Sequence, residues 1–197
     1  MQLVIGTQNR DKGREIFARL RHLPLELRGM WEWPDSGPVE ETGLTLEENA
    51  LLKAEAASSF TGLWAVADDT GLEVSALRGA PGVYSARYAG LNATYADNRK
   101  KLLYELKGVS EIDREARFRT VIVLVRPGLP PETMAGVVLG SITTSEQGQL
   151  GFGYDSIFYV PSEAKTFAQM TVDEKNSVSH RGLALNQLAA RLEEILK

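Results

Sequence analysis

Two adjacent carboxylates, Asp68 and Asp69, close the apolar run Trp64-Ala65-Val66-Ala67 and precede Thr70-Gly71. Burying a charge is costly unless it is paired or bound to metal. An acidic pair ending a strand-like apolar segment therefore reads as a site for a hard cation. Few protein oxygens suit Mg²⁺, which keeps waters and takes its other ligands from substrate phosphates. In a regular strand side chains alternate, so one aspartate faces the site and the other hydrogen-bonds locally, unless the strand breaks. Thr70-Gly71 makes such a break plausible, and the run is read as ending there in a turn. The competing reading is an Asp-rich turn held by Asx hydrogen bonds.

Four other segments carry groups suited to an anionic substrate. Thr7, Asn9 and Lys12 lie where the strand Leu3-Val4-Ile5 passes into a helix. A helix N-terminus attracts phosphate, and a hydroxyl, an amide and an ammonium add donors. The order Gly-Lys-Ser/Thr is missing, so this is no Walker A loop, and an ordinary capped helix with a solvated Lys is the alternative. Glu40 and Glu41 precede a helix carrying Lys53; either glutamate could complete a metal site, or both could be solvated. Gly151-Phe152-Gly153-Tyr154-Asp155 offers backbone that a ligand can approach closely, a ring on which a base can stack, and an acid beside it. The plainer reading is a turn with a core aromatic. Lys175, His180 and Arg181 cluster before the last helix, where His180 could equally be structural and the two cations could lie on the surface. Ser179 adjoins His180, and no nucleophile elbow makes a Ser-His-Asp triad.

Composition narrows the class. The 197 residues carry a net charge of −4, no Cys and only two His, His22 and His180. Thiolate chemistry, disulfides, cysteine zinc sites and three-histidine metal sites are excluded. An acidic chain without a basic stripe is a poor binder of nucleic acid, whose affinity rests on phosphate neutralisation. No segment reaches the roughly 18 apolar residues of a membrane span. The start has no basic region ahead of an apolar one, so no secretory signal is read and a cytoplasmic location is expected.

The elements that must hold these groups follow from periodicity. Helices are expected over Lys12–Leu20, from the capping box Thr45-Leu46-Glu47-Glu48 to about Ser58, over Thr94–Leu106 with Leu102, Leu103 and Leu106 inward, and at the end, where Leu185, Leu188, Ala189, Leu192 and Ile195 follow a 3.6 period. Phe118–Val125, Met134–Leu139 and Ser156–Val160 read as strands. Trp31–Pro38 and Arg78–Gly90 read as irregular. The mixture predicts an α/β fold with a mixed sheet.

The separated motifs, in this order, resemble the inosine/xanthosine triphosphate pyrophosphatase family, which hydrolyses non-standard purine nucleoside triphosphates. The matching segments are Thr7 to Lys12, Glu40 to Gly43 with Glu48-Asn49-Ala50, Ala67 to Leu72, Gly79 to Tyr88, Gly151 to Asp155, and Lys175 to Gly182. Gln8, Arg10-Asp11 and Ser156 depart from the usual Gly, Gly and Pro; Thr70 stands where Ser is frequent. The resemblance implies an elongated mixed central sheet flanked by helices in one domain spanning residues 1–197, two lobes with an active-site cleft between them, a Mg²⁺ cofactor and a homodimer. It makes Thr7, Asn9 and Lys12 the first phosphate loop and Lys53 a further phosphate contact. Glu41 and Asp69 become metal carboxylates, with Asp68 beside them, and Asp69 the proton acceptor. Thr70, Phe152, Gly153, Tyr154, Asp155, Lys175, His180 and Arg181 become substrate contacts, with Phe152 stacking on the base and Asp155 at its edge.

The expected reaction cleaves ITP, dITP or XTP between the α and β phosphates, giving the monophosphate and pyrophosphate. Lys12, Lys53 and Lys175 would hold the phosphates, and Arg181 or His180 would donate to the 6-carbonyl of the base. The alternatives are a related pyrophosphatase with another modified-base preference and a nucleotide sensor without turnover.

Overall fold

Leu3, Val4 and Ile5 form the expected first strand, β1 (Gln2–Ile5), and all three are buried. In the computed structural model, which describes residues 1–197, β1 pairs in parallel with β2 (Glu26–Gly29) on one side and with β3 (Trp64–Val74) on the other. The chain divides into two compact units, Met1–Asp69 with Thr120–Gly136 and Arg181–Lys197, and Thr70–Arg119 with Val137–His180. The strands β5 (Glu115–Val125) and β6 (Glu132–Ile142), like β3, contribute residues to both. With β4 (Pro81–Gly82), β7 (Phe158–Val160) and β8 (Lys165–Thr166) they complete one eight-stranded mixed sheet in the order β2-β1-β3-β5-β6-β7-β8, β4 pairing with β3. The fold is the mixed α/β class expected.

In the first unit, three helices cover the sheet. Asn9 caps α1 (Arg10–Leu20), and the capping box of Thr45 and Glu48 opens α2 (Leu46–Thr61) as its sequence signature predicts. Gly62, in the left-handed region at φ 71°, ends α2. The last helix is α5 (His180–Ile195). Leu3, Ile5 and Val66 pack with α1 and α5, whereas Val4 and Ala65 pack with Ala57 of α2. Alternation along β1 and β3 thus assigns odd and even residues to different helices. The contact side of α2 is small: Ala50, Ala54 and Ala57 are buried. Gly6 matches it, since a Cβ there would lie 3.1 Å from Ala57 Cβ and 3.2 Å from the Lys53 carbonyl oxygen. Small residues on both sides let α2 approach the end of β1.

In the second unit, α3 (Tyr95–Glu105) buries Leu102, with Leu106 just beyond its end, among Leu72, Phe118, Phe158 and Phe167. Leu103 is only partly buried. Two expectations change here. Thr70-Gly71 is not a turn, because β3 runs unbroken to Val74. The approach to the last helix holds a separate helix, α4 (Val172–Val178), capped by Thr171 and ended by extended backbone at Ser179. The short strands β2, β4 and β8 were not legible either. None of them is a run of apolar side chains like Leu3-Val4-Ile5. No helix is long and apolar enough to cross a membrane.

Candidate active site

The first unit gathers seven charged side chains at the end of β1. Ile5 is the last β1 residue paired with β3, opposite Val66, so β3 runs on past its neighbour and carries Asp68 and Asp69 alongside the loop Gly6–Asn9. Both carboxylates are buried. Alternation sends them to different helices. Asp68 Oδ2 lies 3.2 Å from Lys12 Nζ of α1 and accepts from Arg181 Nε of α5, also at 3.2 Å. Asp69 Oδ1 accepts from Lys53 Nζ of α2 at 2.8 Å. Neither aspartate hydrogen-bonds only locally, as a break or an Asx turn would require. Both instead meet cations brought from distant helices.

Lys53 Nζ also donates to Glu41 Oε1 at 2.9 Å, so Glu41 and Asp69 converge on one point. Glu40 is exposed, which selects Glu41 of the two glutamates. Arg181 Nη1 donates to Glu15 Oε2 at 2.5 Å. Burial opposes ionisation of Asp68, but Lys12, Arg181 and Lys53 together outweigh it and hold its carboxyl well below the usual range. Burial raises the Asp69 carboxyl above its ordinary value, against the pull of Lys53 and Lys12. Burial also lowers Lys12, in spite of Asp68.

The loop Gly6–Asn9 differs from a simple anion nest. Asn9 Oδ1 accepts from the Asp11 and Lys12 amides at 3.0 and 3.2 Å, and Thr7 Oγ1 accepts from the Asn9 amide at 3.1 Å. Two first-turn N–H groups are therefore used inside the protein. What the loop can offer an anion is side-chain chemistry: the Thr7 hydroxyl, the Asn9 amide and the Lys12 ammonium.

The second unit holds the other predicted residues. Gly151 and Gly153 adopt φ of 74° and 63°, which glycine tolerates. A Cβ on Gly151 would stand 2.1 Å from Asp155 Oδ2, so only glycine admits this turn. Asp155 Oδ2 accepts from the Phe152 amide at 2.9 Å and from Lys175 Nζ at 2.7 Å, with Lys175 and Asp155 both buried. Lys175 Nζ also sits 4.8 Å from the centroid of the Phe152 ring. Lys175 thus meets the Phe152 segment through both Asp155 and the ring. Tyr154 is buried, and its hydroxyl donates to the Ser85 carbonyl at 2.9 Å. His180 is buried with its ring stacked on Phe118 at 4.4 Å and 12°, and near Phe167. Thr70 follows Asp69 in β3, half-buried.

The Arg181 guanidinium meets Asp68 and Glu15, and the His180 ring stacks on Phe118.

A model of the Ham1 family matches residues 3–191. The chain belongs to the Ham1 family. It is 49% identical over 191 residues to the dITP/XTP pyrophosphatase of Geobacter sulfurreducens, covering 97% of this chain and 96% of that one. It is 48% identical to the dITP/XTP pyrophosphatase of Syntrophobacter fumaroxidans, covering 99% of this chain and 83% of that one. The solved Ham1 protein of Coxiella burnetii superimposes with a TM-score of 0.90 at 44% identity, covering 98% of this chain and 99% of that one. Several residues that brace the site in this Ham1 protein escaped the sequence reading. Glu15 carries no motif signal, being one acid among many on a helix. Asn49 sat inside a recognised segment without a role; it is fully buried and its Oδ1 accepts from the Gly43 amide at 2.8 Å, tying the Glu41 loop to α2. Tyr95 and Arg99 on α3 contact Phe152 and Gly153, and carry no motif of their own.

Proposed function

We infer that this Ham1 protein hydrolyses non-standard purine nucleoside triphosphates (dITP, XTP and ITP) to the monophosphate and pyrophosphate. The observation that carries the reading is the convergence of Glu41 and Asp69 on Lys53, beside the Lys12, Asp68 and Arg181 group. Dense, buried, opposite charges at one strand end suit a polyanionic substrate. The dITP/XTP pyrophosphatases that it matches over nearly their full length support the base class.

The carboxylates fit a divalent cation. Two carboxylate oxygens lie within 2.9 Å of one nitrogen, and Asp69 Oδ2 is buried with no hydrogen-bond donor. Mg²⁺ needs few protein ligands, since waters and phosphate oxygens can supply the rest. Glu41 and Asp69 would hold the ion, with Asp68 committed to Lys12 and Arg181 instead. Mg²⁺ supplies charge neutralisation at the phosphate oxygens. Lys53 and Lys12 would bind the phosphates. Asp69 orients the attacking water and takes its proton at Oδ2. Positioning and electrostatics carry the rest of the reaction.

Phe152 stacks on the base, steadied by Lys175 and Asp155 at its back. Phe152→Ala is expected to raise KM for ITP about tenfold, the effect of losing one base–aromatic stack, while kcat changes little. Steady-state kinetics on the purified variant check this; an unchanged KM removes Phe152 from the base site. The function itself is tested by pyrophosphate release from a panel of purine and pyrimidine triphosphates, with Mg²⁺ and with chelator. Selective, Mg²⁺-dependent turnover of ITP, dITP and XTP is expected; tight binding without turnover would favour a sensor. We extend the family resemblance to a homodimer in the cytoplasm, which light scattering at twice the chain mass checks for the dimer.

A further inference from the structure

Arg99 lies on α3, outside every segment that carries the family resemblance. Its Nη1 donates to the Gly153 carbonyl at 2.8 Å, and its Nε lies 2.9 Å from Glu146 Oε2. That same Glu146 oxygen accepts from the Ser156 hydroxyl at 2.9 Å. One turn earlier on α3, the Tyr95 ring packs against Phe152 with centroids 5.9 Å apart. The segment Phe152 to Ser156 is thus held from outside by α3 and Glu146. The Ser156 hydroxyl thus joins this chain of contacts.

Gly153 is the soft point of that segment. It adopts φ 63°, and a Cβ there would meet nothing within 4 Å, so neighbouring atoms do not restrain it by packing. A peptide unit is planar and trans, so its carbonyl and the following N–H point in opposite directions. Holding the Gly153 carbonyl therefore aims the Tyr154 N–H. The bonds inside the turn run from the Asp155 amide to the Phe152 carbonyl and from the Ile157 and Phe158 amides to the Tyr154 carbonyl, and do not use that N–H. An aimed backbone donor beside a stacking ring suits a purine with an acceptor at position 6, and adenine presents a donor there.

We propose that Arg99 is a positioning residue for base selection: it locks the Gly153–Tyr154 peptide so that the Tyr154 N–H meets the 6-oxo group, with Glu146 and Ser156 holding the guanidinium in place. The inference deepens the pyrophosphatase reading and rests on it for its kinetic readout. Loss of a hydrogen bond from a charged donor corresponds to roughly a tenfold change. Arg99→Ala is therefore expected to lower the ITP:ATP ratio of kcat/KM about tenfold, through KM for ITP, with kcat nearly unchanged. Arg99→Lys, which keeps one donor, restores part of the ratio; Ser156→Ala lowers it by a smaller factor. A purely structural Arg99 would instead depress all substrates alike and leave the ratio intact, and that result overturns the proposal. IMP affinity by calorimetry gives a readout independent of turnover. Weaker IMP binding to Arg99→Ala is expected even if the wild type proves to be a sensor, whereas equal affinity in wild type and variant overturns the proposal whatever the panel shows.

Discussion

Asp69→Asn is expected to reduce turnover of ITP by a factor of at least about 100, the lower end for a displaced general base. The variant keeps an oxygen for Lys53 Nζ, so the 2.8 Å contact and the fold survive. What it loses is a basic Oδ2 and the charge that, with Glu41, would hold a divalent ion. Stopped or steady-state assay of pyrophosphate release measures the first effect, and circular dichroism checks the fold. Near-normal turnover in a folded variant would remove Asp69 from the chemistry.

Asp68→Asn will act on stability more than on any single catalytic step. Asp68 Oδ2 faces Lys12 and Arg181 at 3.2 Å each, and its side chain is fully buried. Removing one member of a buried ionic group costs about 3–5 kcal/mol, because the remaining charges lose their compensation. The lower end applies here. Glu15 still faces Arg181, and burial already opposes the charged form of Lys12. A loss of about 3 kcal/mol corresponds to a fall in Tm on the order of 10 °C for a chain of this size. The pH dependence has a definite sign. The carboxyl of Asp68 is depressed when folded, so its contribution is present above the ordinary carboxylate range and lost as pH falls through the depressed value. The Tm gap between wild type and Asp68→Asn should be widest near neutral pH and shrink in acid. A gap that stays constant into strong acid would show that Asp68 does not stabilise through its charge.

Much of the site was legible because each motif carries its own local physics. The capping box at Thr45 and Glu48 and the apolar run before Asp68 need only near neighbours in sequence, and both formed. Only the family resemblance chose Glu41 over Glu40; by residue type two adjacent loop acids look alike until α2 brings Lys53 to one of them. The pairing of Lys175 with Asp155, twenty residues earlier, was not legible, because no short segment holds both. The turn expected at Thr70-Gly71 was misjudged because local turn propensity yields to pairing in a long strand.

The amino-acid sequence by itself determined the α/β class, the family resemblance and the acidic pair, since periodicity, capping and residue type are properties of short segments. Only the tertiary structure decided which cation meets which carboxylate. Alternation along β3 points Asp68 and Asp69 to opposite faces, and the helices packed there, α1 with α5 on one and α2 on the other, supply the partners. Ion pairing across more than a hundred residues, as between Asp68 and Arg181, is set by the packing of helices on the sheet, and no local pattern records it.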